Sequence, residues 1–414
     1  MHRYLLGLTL LIGLVSCQPP PAELPGEWLV KYRPEASATK QGHPLGGEIH
    51  LVRLSMLEAQ ELGTDPGVVF VQPNHVYEAQ RLPNDSYFQL QWHLRAIGMP
   101  KAWDSTVGSA PAVIAVIDTG ITDHPDLKER TLPGYDFVSR ADTGDGDGWD
   151  ADPTDPGDTN GSSHGTLVAG VIGAASNNGL GIAGVCWQCS LLPVRALNRQ
   201  RQSTSADLVA AVRWAAGLEV VGAPPNPNPA RVINMSLGSR ITGGCSADPA
   251  MAEAIADATA AGALVVVAAG NSATLAGEFS PASCPGALSV TATDRWGRLT
   301  SYANFGSAVR LAAPGGVLFQ DLDGDGKSDG ILSTAYSLGE GFGYYFYQGT
   351  SLATPQVAGV AGLLASLRPD WGPEEIAGAL LASAVPIPKS YCPGGCGAGA
   401  LNAPGAIKLA ESAN

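Results

Sequence analysis

Four side chains sit in settings that could do chemistry together. Ser351 lies in Gly349-Thr-Ser-Leu-Ala-Thr-Pro355, ahead of an apolar run to Leu364 that reads as a helix. A serine hydroxyl is a weak nucleophile until a base takes its proton. A helix start supplies free amides and a positive dipole end beside developing negative charge. Gly349 leaves room for a substrate to approach the backbone. The small residues Ala353, Ala358, Gly359, Ala361 and Gly362 allow tight packing, and Pro355 reads as a first-turn proline. Ser351 could alternatively do no more than cap the helix. His164 opens a second apolar run, and Asp118 directly follows a wholly apolar strand, Ala112 to Ile117. Asn271 follows another, ending Ala268-Ala-Gly270. A base, an orienting carboxylate and an amide donor thus accompany the hydroxyl.

Two other catalytic patterns fail. Asp-Thr-Gly occurs at Asp118 and again at Asp142, but the copies are 24 residues apart and the second lies in a polar loop, not in a matching lobe. The strand-to-helix serine elbow Gly-x-Ser-x-Gly is broken at Ala353, and the order Asp, His, Ser is wrong for it.

The stretches "VIDTGITDHPDL", "SSHGTLVAGVIGA", "VVVAAGNSA" and "GTSLATPQVAG" together resemble the subtilisin-like serine proteases, the subtilases, from about Asp85 to the C-terminus. The resemblance implies that Ser351 is acylated, that His164 is base and then acid, and that Asp118 holds the imidazole. Asn271 and the Ser351 amide would form the oxyanion hole. Ile233-Asn-Met-Ser-Leu-Gly-Ser239 resembles the family's substrate strand, so Ser236, Leu237 and Gly238 would pair with an extended peptide. Ala268, Ala269 and Gly270 would form one wall of the first specificity pocket and Ser280 to Cys284 another. Small apolar walls favour an apolar side chain without strongly excluding others. The rival reading is a catalytically silent relative serving as a binding or chaperone module, which the intact Asp118, His164, Asn271 and Ser351 speak against.

Three acidic places suit calcium, a hard ion that prefers oxygen ligands. Asp126 with Asn177-Asn-Gly-Leu-Gly-Ile182 resembles the family's tight site, with Asp126 and Asn178 supplying side-chain oxygens and Gln89 or Gln91 completing it. The loop from Asp142 to Asp158 offers Asp145, Asp147, Asp150, Asp152 and Asp155, charges that repel one another without a counterion. Asp321, Asp323 and Asp325 are spaced like the start of an EF-hand loop, with Gly326 at the turn and Asp329 beyond, though Leu332 stands where the bidentate Glu belongs. One to three structural calcium ions are expected.

The elements that must carry these residues read as an α/β fold. Ala112–Ile117, Leu191–Val194, Arg231–Met235 and Ala263–Ala268 are wholly or largely apolar, as strands buried on both faces of a parallel sheet are. Helices are expected from Ala206 to Leu218 and from Pro249 to Ala261, the latter N-capped by Asp248. Alternating strands and helices predict a doubly wound, mostly parallel sheet flanked by helices, with its site at the carboxyl ends of the strands.

Upstream lies a different pattern. Residues 1–16 read as an export signal, with an apolar run from Tyr4 to Val15. Leu14-Val-Ser-Cys17 resembles a bacterial lipobox, which implies lipidation at Cys17. Residues 17–23 read as a stiff tether. Residues 24–82 resemble the family's small α+β inhibitory propeptide, with strands at Glu27–Tyr32 and Val68–Val71, a helix at Met56–Leu62 and an exposed polar linker through Arg81–Asp85; the catalytic domain is then 83–414. A stable accessory domain is the other reading of that segment.

Composition agrees with a soluble globular protein: 45% hydrophobic residues with 52 Gly and 31 Pro. A formal net charge of −14 argues against nucleic acid or an anionic membrane surface as partners. The expected partners are protein or peptide substrates and the chain's own propeptide. The membrane enters only through a lipid anchor, and the enzyme is expected to be a monomer. Setting Cys17 aside leaves six cysteines, which suggests disulfides in an oxidising compartment. Cys186 with Cys189 and Cys392 with Cys396 could close small loops, leaving Cys245 for Cys284; fifteen pairings are open in principle, as is a zinc site.

Overall fold

The computed structural model describes residues 23–34, 40–76, 81–139, 146, 148–159, 161–337, 339 and 341–413. The expected signal, the lipobox at Cys17, nearly all of the tether, and Asp142, Asp145 and Asp147 lie outside the described residues. The chain divides into two units, Met1–Gln80 and Arg81–Asn414.

The first unit is a small α+β body. Strands β1 (Glu23–Tyr32), β2 (His43–Gly46), β3 (Ile49–Arg53) and β4 (Val68–His75) form an antiparallel sheet in the order β2-β3-β1-β4. Helix α1 (Met56–Leu62) starts at a reciprocal cap, in which the Ser55 hydroxyl takes the Glu58 amide and the Glu58 carboxylate takes the Ser55 amide. Val30, Tyr32, Val52 and Val68 make its core. The β2–β3 pair carries no clear sequence signal, because all four residues of β2 are exposed and β3, though it alternates in burial, turns the polar His50 inward with Val52.

The second unit begins with the short helices α2 (Trp92–Ala96) and α3 (Met99–Ser105). Its sheet strands are β5 (Val113–Asp118), β6 (Tyr135–Asp136), β7 (Ser190–Arg195), β8 (Val232–Met235), β10 (Leu264–Ala268), β12 (Leu288–Thr293) and β13 (Leu311–Pro314). Two small pairs accompany them: β9 (Ser239–Arg240) with β11 (Phe279–Ser280), and β14 (Ile331–Ser337) with β15 (Gly341–Tyr347). The helices are α4 (His164–Gly173), α5 (Ser205–Ala215), α6 (Pro249–Ala260), α7 (Thr350–Leu367), α8 (Pro373–Ala382) and α9 (Ala403–Ser412).

The seven-stranded sheet runs β13-β12-β10-β8-β5-β7-β6, and every pairing in it is parallel. Both faces are covered. Along β5, Ile114 and Val116 pack with Leu167 of α4 and Val357 of α7, while Val113, Ala115 and Ile117 pack with Val212 of α5 and Ile255 of α6. This is why the strand is apolar at every position rather than at alternate ones. From β5 the chain runs to the edge strand β6, returns inward to β7, then crosses to β8 and winds outward to β13, so β5 lies at the topological switch point between the two directions.

Two local expectations are corrected. Asp248 occupies the N-cap position of α6 without capping it; its carboxylate accepts the Ser280 hydroxyl instead, at 2.6 Å. Arg81–Asp85 is not a free linker. Pro83 and Asp85 are buried in the second unit, and the Arg81 amide donates to Asp104. Helix α7 is long and apolar enough to cross a membrane, but 83% of it is buried, as befits a core helix.

The cysteines form Cys186–Cys189, Cys245–Cys284 and Cys392–Cys396, which excludes the zinc reading.

Candidate active site

The sheet delivers its polar residues to one edge. Asp118 is the last residue of β5, Ser236 follows β8, and Asn271 lies just past β10. His164 is the first residue of α4, and Ser351 is the second of α7.

The imidazole is held from several sides. His164 Nδ1 lies 2.8 Å from Asp118 Oδ1, and Asp118 is fully buried. That same oxygen accepts the Thr119 amide at 2.8 Å. Burial pulls the His164 pKa down, but the charge and hydrogen bond of Asp118 outweigh it, so the net shift is above the ordinary 6.5. The neutral ring therefore carries its proton on Nδ1, leaving Nε2 unprotonated. Ser163, at the N-cap, gives α4 no side-chain cap. Asp158 does that work: its Oδ2 accepts the His164 amide at 3.2 Å and the Arg201 guanidinium at 2.8 Å. Gly165 is required by close approach, since a Cβ there would fall 2.1 Å from the Gly120 carbonyl oxygen.

Ser351 does not cap its helix, because Gly349 holds the N-cap position. Its hydroxyl donates to the Ser236 carbonyl at 3.2 Å. Pro355 lies in the second turn rather than the first. Having no N–H, it cannot donate to the Ser351 carbonyl four residues back. The Ser236 hydroxyl fills that role at 3.0 Å, itself receiving Asn234 Nδ2 at 3.0 Å. The sequence points to Ser236 for its backbone; its side chain also anchors the first turn of α7.

Asn271 is oriented by its own helix partner. Its Oδ1 accepts both the amide and the hydroxyl of Thr350 at 2.9 Å, which leaves the NH2 to donate. The Leu352 amide is taken by the Gly349 carbonyl, and among the described residues the Ser351 amide has no acceptor. Two donors therefore stand ready beside the hydroxyl. The turn carrying Asn271 rests on buried Asn304, whose Nδ2 donates to Ala269 O at 2.8 Å and whose Oδ1 accepts the Ser272 amide at 2.9 Å. Gly270 has φ +106, and a Cβ there would strike Asn304 Nδ2 at 2.3 Å. Asn304 carried no periodic or motif signal in the sequence.

The substrate-strand residues also converge. Leu237 is half-buried and Gly238 exposed, and a Cβ on Gly238 would lie 3.3 Å from Ser280 O and 4.0 Å from Ala268 O. The two stretches named as pocket walls thus flank this strand. Ala268 and Ala269 are buried, and the Cys245–Cys284 bond anchors the second wall.

A model of the Subtilase family matches residues 109–400, more than half the chain. The chain belongs to the subtilase family. It is similar to an "Extracellular protease" of Xanthomonas campestris pv. campestris, 38% identical over 369 residues, covering 85% of this chain and 61% of that protein. Thermitase of Thermoactinomyces vulgaris is 36% identical, with 69% and 85% covered. A solved structure titled as proteases from Pseudoalteromonas arctica PAMC 21717 has 39% identity and a TM-score of 0.73, covering 80% of this chain and all of that one. The chain spans 61% and 54% of the two extracellular protease relatives from Xanthomonas campestris and Dichelobacter nodosus.

The calcium candidates of this subtilase fare differently. Asp126 is fully buried; its oxygens meet Asn178 Nδ2 and the Ile182 amide at 3.1 Å and the Tyr344 hydroxyl at 3.2 Å. Burial, with the Asp85 charge adding to it, pushes its pKa up to about 6. Gln91 is not a ligand, since both ends of its amide are bound to Ala183. Gln89 accepts from Arg95. The residue brought to this loop is Asp85, missed in the sequence: it is buried, its Oδ2 accepts the Asn177 amide at 2.7 Å, and its Oδ1 has no partner among the described residues. Burial pushes its pKa up as well. Two buried carboxylates, one with an orphaned oxygen, fit a cation. Asp85 stands next to Asn84, whose side chain accepts the Gly179 amide, so an Asn-Asp pair opening the unit was the available signal.

In the second loop, Asp152 is exposed and accepts the Thr154 amide, and Asp150 accepts the Asp152 amide. Asp155 corrects the expectation of a surface ligand: it is 1% exposed and bound to Thr119 and Gly157. Burial, chiefly, pushes its pKa up to about 7. In the third loop, oxygens of Asp321, Asp323 and Asp325 lie within 4.8 Å of one another and are exposed, which fits a hard cation. Asp329 is buried and paired with Arg295 at 2.8 Å, and the same guanidinium also pairs with Asp323.

Proposed function

We propose that this subtilase is an exported serine endopeptidase made as a self-processed zymogen. The observation that carries the reading is the convergence of Ser351, the His164–Asp118 pair and the free amide of Asn271 at one sheet edge. Ser351 Oγ attacks the peptide carbonyl carbon as its proton passes to His164 Nε2. The carbonyl electrons move onto oxygen, where Asn271 Nδ2 and the Ser351 amide donate to it. His164 then protonates the departing amine, the C–N bond breaks, and an acyl-Ser351 ester remains. Water repeats the sequence, giving its proton to His164 and freeing the acid product and Ser351. Asp118 keeps the ring in the productive tautomer and stabilises its cation.

Substrate binds extended along Ser236–Gly238, with an apolar side chain between Ala268–Gly270 and Ser280–Cys284. Calcium is held by Asp126, Asp85 and the Asn177–Ile182 loop, with a flip of the Asn178 amide presenting its oxygen, and by Asp321, Asp323 and Asp325. Its role is structural: it neutralises carboxylates and pins the start of the catalytic unit. The small amino-terminal unit is the propeptide and intramolecular inhibitor. A lipid on Cys17 would lie on its side of the cut, so cleavage both activates the enzyme and frees it from the membrane. Extracellular relatives support export.

The test is intact-mass analysis of wild type and Ser351→Ala, each incubated with calcium. Wild type is expected to lose about its first 80 residues, at the boundary between the units, and the variant none. If neither is cut and neither hydrolyses casein, the silent-module reading takes over. Mature enzyme retained in washed membranes would sink the release step.

A further inference from the structure

One carboxylate of the acidic loop turns inward and ends beneath the triad. Asp155 Oδ2 accepts the Thr119 hydroxyl at 2.7 Å, and Thr119 Oγ1 in turn accepts the Gly165 amide at 2.8 Å. The Thr119 amide donates to Asp118 Oδ1 at 2.8 Å, the oxygen that lies against His164 Nδ1. Thr119 therefore joins the strand end that carries Asp118 to the first turn of the helix that carries His164. A hydroxyl has one proton to give. Because Asp155 takes it, the lone pairs of Thr119 face the Gly165 amide. The same loop is strapped to this turn by a second bond, from the Ile121 amide to Pro153 O at 3.1 Å. A Cβ on Gly120 would fall 2.4 Å from Pro153 O and 2.8 Å from the Asp155 amide, so the fit admits no slack.

We propose that Asp155 is a positioning residue of this active site: by fixing the Thr119 hydroxyl it holds Asp118 and His164 in register. It acts through Thr119 and touches no substrate. The proposal rests on the proteolytic reading, so its test has one arm that depends on activity and one that does not.

In the first arm, full-length Asp155→Ala, Asp155→Asn, Thr119→Val and Thr119→Ser are compared with wild type on a peptide substrate, with rates set per active site titrated by a fluorophosphonate. Misplacing catalytic groups costs up to about 10²-fold. Asp155→Ala and Thr119→Val are expected to lower kcat by about tenfold to 10²-fold with KM within about twofold, and the double variant to be no worse than either. Asp155→Asn keeps an acceptor and Thr119→Ser keeps the hydroxyl, so both should regain most of the rate. In the second arm, the downfield proton NMR signal of His164 Nδ1–H is followed in the Ser351→Ala chain. It is expected to shift or broaden in Asp155→Ala and to return in Asp155→Asn. Wild-type kcat in Asp155→Ala, an Asn variant as damaged as the Ala one, or an unmoved NMR signal would overturn the proposal. A wild type inert to both peptide and fluorophosphonate would fail the proteolytic reading alone, and the NMR arm would still decide.

Discussion

Thr350 occupies the side-chain oxygen of Asn271 and so leaves its NH2 free to donate, as the proposed mechanism requires. Asn271→Ala is therefore expected to lower kcat by about 10²–10³-fold with little change in KM, because the donor acts where charge develops. Steady-state kinetics on a peptide substrate checks it. His164 makes a second prediction. Its pKa is raised, so the ring is protonated and useless as a base until the pH passes above that raised value. The acid limb of kcat/KM should therefore lie above 6.5, and Asp118→Asn, which removes the charge, should shift it downward in whatever activity remains. A pH–rate profile of both proteins reads this directly.

At the scale of elements, the start of α7 is completed by a neighbour. Pro355 leaves the Ser351 carbonyl without its helical donor, and Ser236, just past β8, supplies one. Ser236→Ala should cost about 1 kcal/mol of stability, the worth of one hydrogen bond, and lower kcat about tenfold through a looser helix start. Pro355→Ala restores an N–H and should recover part of both losses in the double variant. Denaturant melts and kinetics of the four proteins form the cycle that tests it. The Arg81–Asp85 segment behaves in the same way: it is an extension of the catalytic unit, strapped to the loop around Gly179 by Asn84, Asp85 and Ser86.

For the molecule as a whole, buried charge and buried imidazole set stability. Asp85 and Asp126 are buried close to one loop, so calcium should stabilise the native state by about 3–4 kcal/mol at 10²–10³ times its Kd. Chelation should lower Tm, and emission spectroscopy should find one ion fewer in Asp126→Asn. His93 makes stability fall in acid. It is fully buried, both ring nitrogens lack a partner among the described residues, and burial lowers its pKa to about 3. Unfolded, it titrates near 6.5, so between those values only the unfolded chain takes up the proton. Above pH 6.5 neither state takes up that proton and His93 adds no pH dependence, whereas below it stability falls by about 1.4 kcal/mol per pH unit. His93→Leu should flatten that slope between pH 6 and 4, whatever its effect at neutral pH. Denaturant unfolding at stepped pH measures the difference.

The sequence by itself determined the central strands, the family and the four polar residues that the fold brings to one sheet edge. A strand buried on both faces must be apolar throughout, and a polar residue at its carboxyl end stands out against that run, as Asp118, Ser236 and Asn271 do. Local pattern also placed α1, α5 and α6 to within a few residues. What only the tertiary structure decided were partners distant in the chain. Asn304 under Asn271, Asp85 beside the Asp126 loop, the Ser236 hydroxyl on Ser351 and Asp155 beneath Thr119 are single polar residues without periodicity. An acidic loop looks the same in sequence whether its carboxylates face water, a cation or the triad. The fold chooses among these, because burial turns a carboxylate without a partner from a neutral feature into a costly one.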